Sequence, residues 1–229
     1  MVFTRAGMRR GAIETLPMMP GLMPFAVVVG ISGQSVGMSP LEVGLMSAFV
    51  YAGASQLVAL AIWTNPPDLI AVTLAALVVN LRLALMGPVL SPWLNPLRGW
   101  AVWGGLFVMA DQNWAMAVRD MNRGGRDAGY LMGSGLMMWS GWVVASVIGQ
   151  MVGAELRPAP GHPLFFAALA VFVCMLTGMW RGLGDFVPWV IAAVVSVTVA
   201  QLLPGTFWYI VAGALAGSIV AGLRDVWQR

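Results

Sequence analysis

Apolar runs of about twenty residues, separated by short polar or proline-rich breaks, follow one another along most of the chain. They fall at about 16–37, 41–63, 69–90, 100–118, 129–153, 163–181, 187–203 and 207–223. The separators carry turn chemistry: Ser39-Pro40, Asn65-Pro66-Pro67-Asp68, residues 91–98 and residues 158–163. A helix needs about 20 apolar residues to cross a bilayer, so each run crosses or nearly crosses. The pattern predicts an all-α fold: a polytopic transmembrane helical bundle of about eight spans, one domain over residues 1–229. Seven spans is the alternative, because the last two runs are short and the first is interrupted.

Composition narrows the class. Of 229 residues, 59% are hydrophobic and 9% charged, with a mean hydropathy of +0.83. A soluble domain carries about 25% charged residues. A water-soluble enzyme, a nucleic-acid binder and a disordered chain are therefore excluded. Every one of the 12 cations is arginine. With a cytoplasmic N-terminus and every run crossing, Arg5, Arg9, Arg10, Arg119, Arg123, Arg126, Arg181, Arg224 and Arg229 lie inside. Arg98 and Arg157 then lie outside, and Arg82 lies within a span. That asymmetry follows the positive-inside rule and predicts a multi-pass cytoplasmic-membrane protein with both termini inside. Trp63, Trp93, Trp100, Trp180, Trp189, Trp208 and Trp227 fall near run ends, as an aromatic belt requires. Residues 1–14 read as the start of a retained first helix rather than a cleaved signal. The single cysteine, Cys174, cannot form an intrachain disulfide and reads as a packing residue.

The residues a bilayer penalises carry the functional reading. Pro17, Pro20-Gly21 and Pro24 crowd the first run, and each proline removes a backbone donor. A broken first helix lining a substrate path is one reading, a kinked entry helix the other. In the second run, Ala52-Gly53-Ala54-Ser55-Gln56 joins small residues to an amide, and Gln56 fits a cavity-lining role. Asn80-Leu81-Arg82 lies deep in the third run and Asp111-Gln112-Asn113 in the fourth. Burying Arg82 or Asp111 alone would cost at least ~2.5–3.5 kcal/mol, so both should face the bundle interior. Their depths along consecutive helices differ by about 4–5 Å. The pair could be a structural ion pair. Alternatively, Arg82 anchors a substrate carboxylate, and Asp111 loads and unloads a proton.

A faint repeat accompanies these motifs. Gly33-Gln34-Ser35-Val36-Gly37 closes the first run and Gly149-Gln150-Met151-Val152-Gly153 the fifth, which two parallel halves or coincidence would each produce. Enzyme chemistry finds no support. Ser55 has no base in reach, and the one histidine, His162, sits in a loop, which leaves no cofactor or metal cluster.

Taken in order, Gly21-Leu22-Met23-Pro24-Phe25, the 52–56 run and Asn80-Leu81-Arg82 resemble the AzlC family, the large subunit of branched-chain amino acid exporters linked to azaleucine resistance. Trp139 with Gly149, and the Pro163 to Phe172 stretch, extend the resemblance over essentially the whole chain. It implies efflux of valine, leucine, isoleucine or methionine, and a small AzlD-type membrane subunit as partner. Two positions depart: Leu83 follows Arg82 where the family usually has His, and Gln112 follows Asp111 where it usually has Glu. A proton route through either family residue would need another group here. The resulting expectation is a secondary transporter, ion- or proton-coupled. Its substrate would be lined by Arg82, Asn80, Gln56, Ser55, Gly21, Pro24 and Gln34, and its coupling site would hold Asp111 and Gln112. A non-transporting scaffold or a passive pore is the alternative.

Overall fold

The computed structural model describes residues 2–156, 170, 173, 177, 180, 182–204 and 208–227. The run expected at 163–181 lies almost wholly outside that set, as do Cys174 and His162. The first helix begins as α1 (Arg5–Thr15), capped by Thr4, whose hydroxyl accepts from the Gly7 N–H at 2.9 Å. A 3-10 turn (Leu16–Met18) leads into α2 (Met19–Ser35). Pro17 and Pro20 occupy opening positions of their segments, where a missing N–H costs nothing, and only Pro24 lies inside a helix. Arg5–Ser35 thus forms one helical rod of 31 residues. The broken first helix expected from its prolines is a helix with a single tight turn.

A second long rod, α9 (Gly129–Leu156), lies against the first. A Cβ added at Gly11 would strike the Tyr130 carbonyl, and one at Gly30 the Ser146 carbonyl. Added at Gly133 it would strike Met8, and at Gly149 Val27. The numbers rise together on both sides, so the rods run parallel and touch through backbone, which side chains larger than hydrogen would prevent. The end holding the N-terminus is called the base here and the opposite one the far end. Val2 pairs with the 126–128 segment at the base, its N–H donating to the Arg126 carbonyl at 2.9 Å.

Between the rods' neighbours, two of the expected spans fold back on themselves. The second run forms α3 (Pro40–Val50) and α4 (Gly53–Ala61), parted by Tyr51 in the left-handed region (φ 41°) and an extended Ala52. Ser47 and Gln56 hydrogen-bond at 3.0 Å. In a straight helix nine residues apart they would stand about 13.5 Å distant on opposite faces. The arms therefore form a hairpin. It enters from the far end, where Val43 meets Gly33, and returns there, where Leu57, Leu60 and Ala61 face Ser32, Ser35 and Val36.

The fourth run makes a second hairpin from the base: α7 (Trp100–Phe107) rises and α8 (Asp111–Asn122) descends. Trp100 stacks edge-on against Phe3 at 5.3 Å, and Asp120 reaches Arg10. Both arms thus open on the base. The connector α5 (Leu69–Met86) runs from the far end toward the base, followed by a 3-10 turn and the short α6 (Ser91–Leu94). Within residues 2–156, Arg5–Ser35 and Gly129–Leu156 are long and apolar enough to cross a membrane, and α5 is a shorter apolar helix. The runs at 41–63 and 100–118 fold back as hairpins instead of forming the continuous helices expected of spans. Arg98 moves with this correction. Arg98 stands two residues before Trp100, which stacks on Phe3, and so lies at the base, the same end as Arg5, Arg9, Arg10, Arg119, Arg123 and Arg126.

Further along, α10 (Phe186–Leu202) and α11 (Trp208–Trp227) pair closely. Gly213 and Gly217 in α11 let it approach Ser196 and Ala192 of α10. Val190, Val194 and Val197 remain exposed on α10. By length and apolar composition Arg5–Ser35, Gly129–Leu156 and Leu183–Leu202 can each cross a membrane.

Candidate functional site

The tips of the two hairpins are where the sequence interrupts regular backbone inside apolar surroundings, so their polar groups need side-chain partners. At the far-end hairpin, Gln56 supplies them. Its side chain is fully buried. Its Oε1 accepts from the Trp142 indole N–H at 2.9 Å, and its Nε2 donates to the Ser47 hydroxyl at 3.0 Å. The Ser55 hydroxyl donates to the Ala52 carbonyl at 2.9 Å. Trp139 donates to the Ala48 carbonyl at 2.9 Å, meeting an acceptor freed where α3 stops. Gly53 lets the tip close on Phe25 and Trp142, whose rings meet edge to face at 5.5 Å.

The base hairpin has an analogous bracket. Asn113 is fully buried. Its Oδ1 accepts from the Ala110 N–H at 2.6 Å and its Nδ2 donates to the Val108 carbonyl at 2.9 Å. Gly135 of α9 leaves room for Val108 and Asn113 beside it. The two tips thus stand on α9 at Trp142 and Gly135, seven residues or about 10 Å apart. Ala110 and Met116 of the base hairpin pack on the same apolar cluster as Tyr51 and Phe25. Elements entering from opposite ends therefore meet inside the bundle.

The helix α5 passes beside both. Trp114 donates to the Met86 carbonyl at 2.9 Å, which fixes α8 against α5. Arg82 stands four residues up α5 from Met86, and Asp111 three residues up α8 from Trp114. Both helices descend toward the base, so the two positions share a depth to within about 1.5 Å. The Arg82 side chain lies outside the described set.

A family model described as AzlC protein matches residues 17–156. The chain belongs to the AzlC family. It is 29% identical over 228 residues to the inner membrane protein YgaZ of Escherichia coli strain K12, covering 95% of this chain and 91% of that protein. An uncharacterized membrane protein of Archaeoglobus fulgidus is 27% identical over 219 residues, covering 93% and 94% respectively. No solved structure matches. The matched region of this AzlC protein contains α2, both hairpins, α5 and α9.

Within that AzlC region the residues expected at the site divide into three groups. Ser55 and Gln56 form the far-end tip. Asp111 and Gln112 open α8 at the base tip, half-buried, with Asn80 and Arg82 on the adjacent α5. The buried Oδ1 of Asn80 has no hydrogen-bond partner. Gly21 and Pro24 lie on the exposed face of α2, away from the tips, and Gln34 sits at the far end beside Gly153. Sequence reasoning did not single out Ser47, Trp114 or Trp142, which brace the tips, and quoted Asn113 only as part of Asp111-Gln112-Asn113 without giving it a role. Their available signal was a polar side chain or indole recurring near each small-residue interruption. Trp93, expected in an aromatic belt, is fully buried and donates to the Gly125 carbonyl at 3.0 Å. It ties α6 to the loop before α9 because the base hairpin brings those segments together.

Proposed function

We propose that this AzlC protein is a secondary transporter exporting branched-chain and similar hydrophobic amino acids from the cytoplasm, with the base at the cytoplasmic face. The observation that carries the reading is the meeting of two re-entrant hairpins inside the bundle. Each tip presents the C-terminus of one half-helix, α3 or α7, and the N-terminus of the next, α4 or α8. Helix N-termini favour carboxylates and C-termini favour cations. A zwitterionic amino acid needs both, and discontinuous helices at membrane depth serve transported solutes in this way. Arg82 supplies the forked donor for the carboxylate, and the partnerless Asn80 Oδ1 an acceptor beside it. The Met and Leu side chains around the tips would receive the apolar side chain.

In this reading Gln56 and Ser55 shape the far-end tip, while Gly21, Pro24 and Gln34 border the path outside it. Asp111 and Gln112 couple transport to an ion or proton at the base tip. A small AzlD-type subunit completes the exporter, consistent with the exposed valine face of α10. Arg82→Ala should abolish leucine efflux from loaded proteoliposomes while membrane insertion is retained; efflux at the wild-type rate would overturn the assignment. Asp111→Asn should alter the pH dependence of efflux, and an unchanged profile would make Asp111 structural. Counterflow of labelled leucine against unlabelled leucine separates a carrier from a pore.

A further inference from the structure

At the base, α1 turns Gly7, Gly11 and Thr15 toward α9 and leaves Arg5, Ala6, Arg9, Arg10, Ile13 and Glu14 outward. The outward cations are not equivalent. Arg10 is occupied: its guanidinium pairs with Asp120 at 2.6 Å and lies 4.6 Å from the Tyr130 ring centroid. Glu14 is also engaged, accepting from the Tyr130 hydroxyl at 2.7 Å. Arg5 and Arg9, one turn apart on the same exposed strip, make no ion pair among the described residues. Cations in the opening turns of a helix are unfavourable against its dipole, so this pair lacks an internal counter-charge from backbone or side chain.

Two further features lie beside that pair. An open surface cavity of about 290 Å³ runs along this one face of α1, lined by Ala6, Arg9, Arg10, Ile13 and Glu14, with Arg5 one turn before Arg9 and outside the lining. Beyond it the same rod exposes Ile13 at 49% and Leu16 at 48%. A cationic mouth thus continues into an apolar track running up a membrane-spanning rod. A free anion would use the mouth alone. An amphiphile with an anionic head uses both.

We infer that Arg9, which lines the cavity, and Arg5, exposed one turn before it on the same face, form a binding site for an anionic phospholipid, with its headgroup phosphate between them and an acyl chain along Ile13 and Leu16. Glu14 does not oppose this, since its carboxylate is turned to Tyr130 and shares the neighbourhood of Arg10. The engaged Arg10 lies next to Arg9, so a bound headgroup also abuts the contact that holds α8 to α1.

The test uses the full chain in a neutral detergent, titrated with phosphatidylglycerol, phosphatidylcholine or glycerol 1-phosphate while thermal unfolding is followed. Ligand that binds only the folded state raises the midpoint by mass action. Phosphatidylglycerol should raise it, and the other two should not. Its apparent affinity should fall about fivefold for each arginine removed, in Arg9→Gln and again in Arg5→Gln/Arg9→Gln. Arg123→Gln, at the same end but outside the cavity, should leave affinity unchanged. Equal shifts with phosphatidylcholine would overturn the inference, as would undiminished affinity in Arg9→Gln. A full response to glycerol 1-phosphate would make the site one for free phosphate, and overturn it likewise. None of these readouts depends on transport, so the lipid site and the exporter reading can fail separately.

Discussion

Hairpin α3–α4 is held by neutral groups: the fully buried Gln56 amide and Ser47 hydroxyl, the buried Trp142 indole and the partly buried Trp139 indole. Hairpin α7–α8 shares the buried amide, in Asn113, but its descending arm is fastened to α1 by the Arg10–Asp120 ion pair. That pair is partly open to water, with side-chain exposures of 43% and 16%. Neutral buried brackets respond little to salt or pH, whereas an exposed ion pair responds to both. The difference makes the base hairpin the element more readily released, and the far-end hairpin the more rigid stop. In an exporter loading at the base, the entry side would then be the adjustable one.

The comparison can be broken most severely at Trp142. Trp142→Ala removes the ring under Gly53 and Phe25 and the donor to Gln56 together, and should destabilise the protein by about 3–5 kcal/mol. Trp142→Phe keeps most of the packing and should cost about 1–3 kcal/mol for the unpaired Gln56 acceptor. Thermal unfolding in detergent separates the two: a Trp142→Phe variant as stable as wild type would show that the hydrogen bond is immaterial, and equal losses would show that the ring packing is.

A smaller effect tests whether the tips are alike. Gln56→Leu and Asn113→Leu each strand buried backbone or indole groups, at about 1–3 kcal/mol. Limited proteolysis should show each variant loosening its own hairpin only; cleavage at both tips from either variant would mean the brackets act as one unit. The smallest effect belongs to Asp120→Asn, at roughly 0–1 kcal/mol and vanishing at high salt. The reversed pair Arg10→Asp/Asp120→Arg should recover what either single change loses. Failure to recover would assign Arg10 to its contact with Tyr130 instead.

Much of this architecture was legible as hydropathy, and the hairpins show why the rest was not. The arms α3 and α4 hold 11 and 9 residues, together the length of one crossing helix. Apolar content therefore cannot distinguish a span from a fold-back. Three prolines pointed to a break in the first helix, yet two of them occupy positions that tolerate proline without one. The actual reversals use Tyr51-Ala52 and Met109-Ala110, which carry no strong turn signal. What did show was the cost of polarity: Gln56, Asn80, Arg82 and Asp111 stood out in apolar runs and lie at or beside the tips. Gly21 and Pro24 were chosen for the supposed break and Gln34 as polar lining, and all three lie away from the tips.

The partners of the far-end tip also impose an order on how the molecule is made. Trp142 lies 86 residues after Gln56, and Trp139 lies 91 residues after Ala48. At ribosomal speeds of about 5–20 residues per second, the tip waits on the order of ten seconds before its donors exist. Until α9 arrives, the first hairpin has α2 to pack against, but its tip lacks both indole donors. During that interval the Gln56 Oε1 and the Ala48 carbonyl lack the α9 partners they have in the finished fold, so the tip is the last part of the hairpin to be completed.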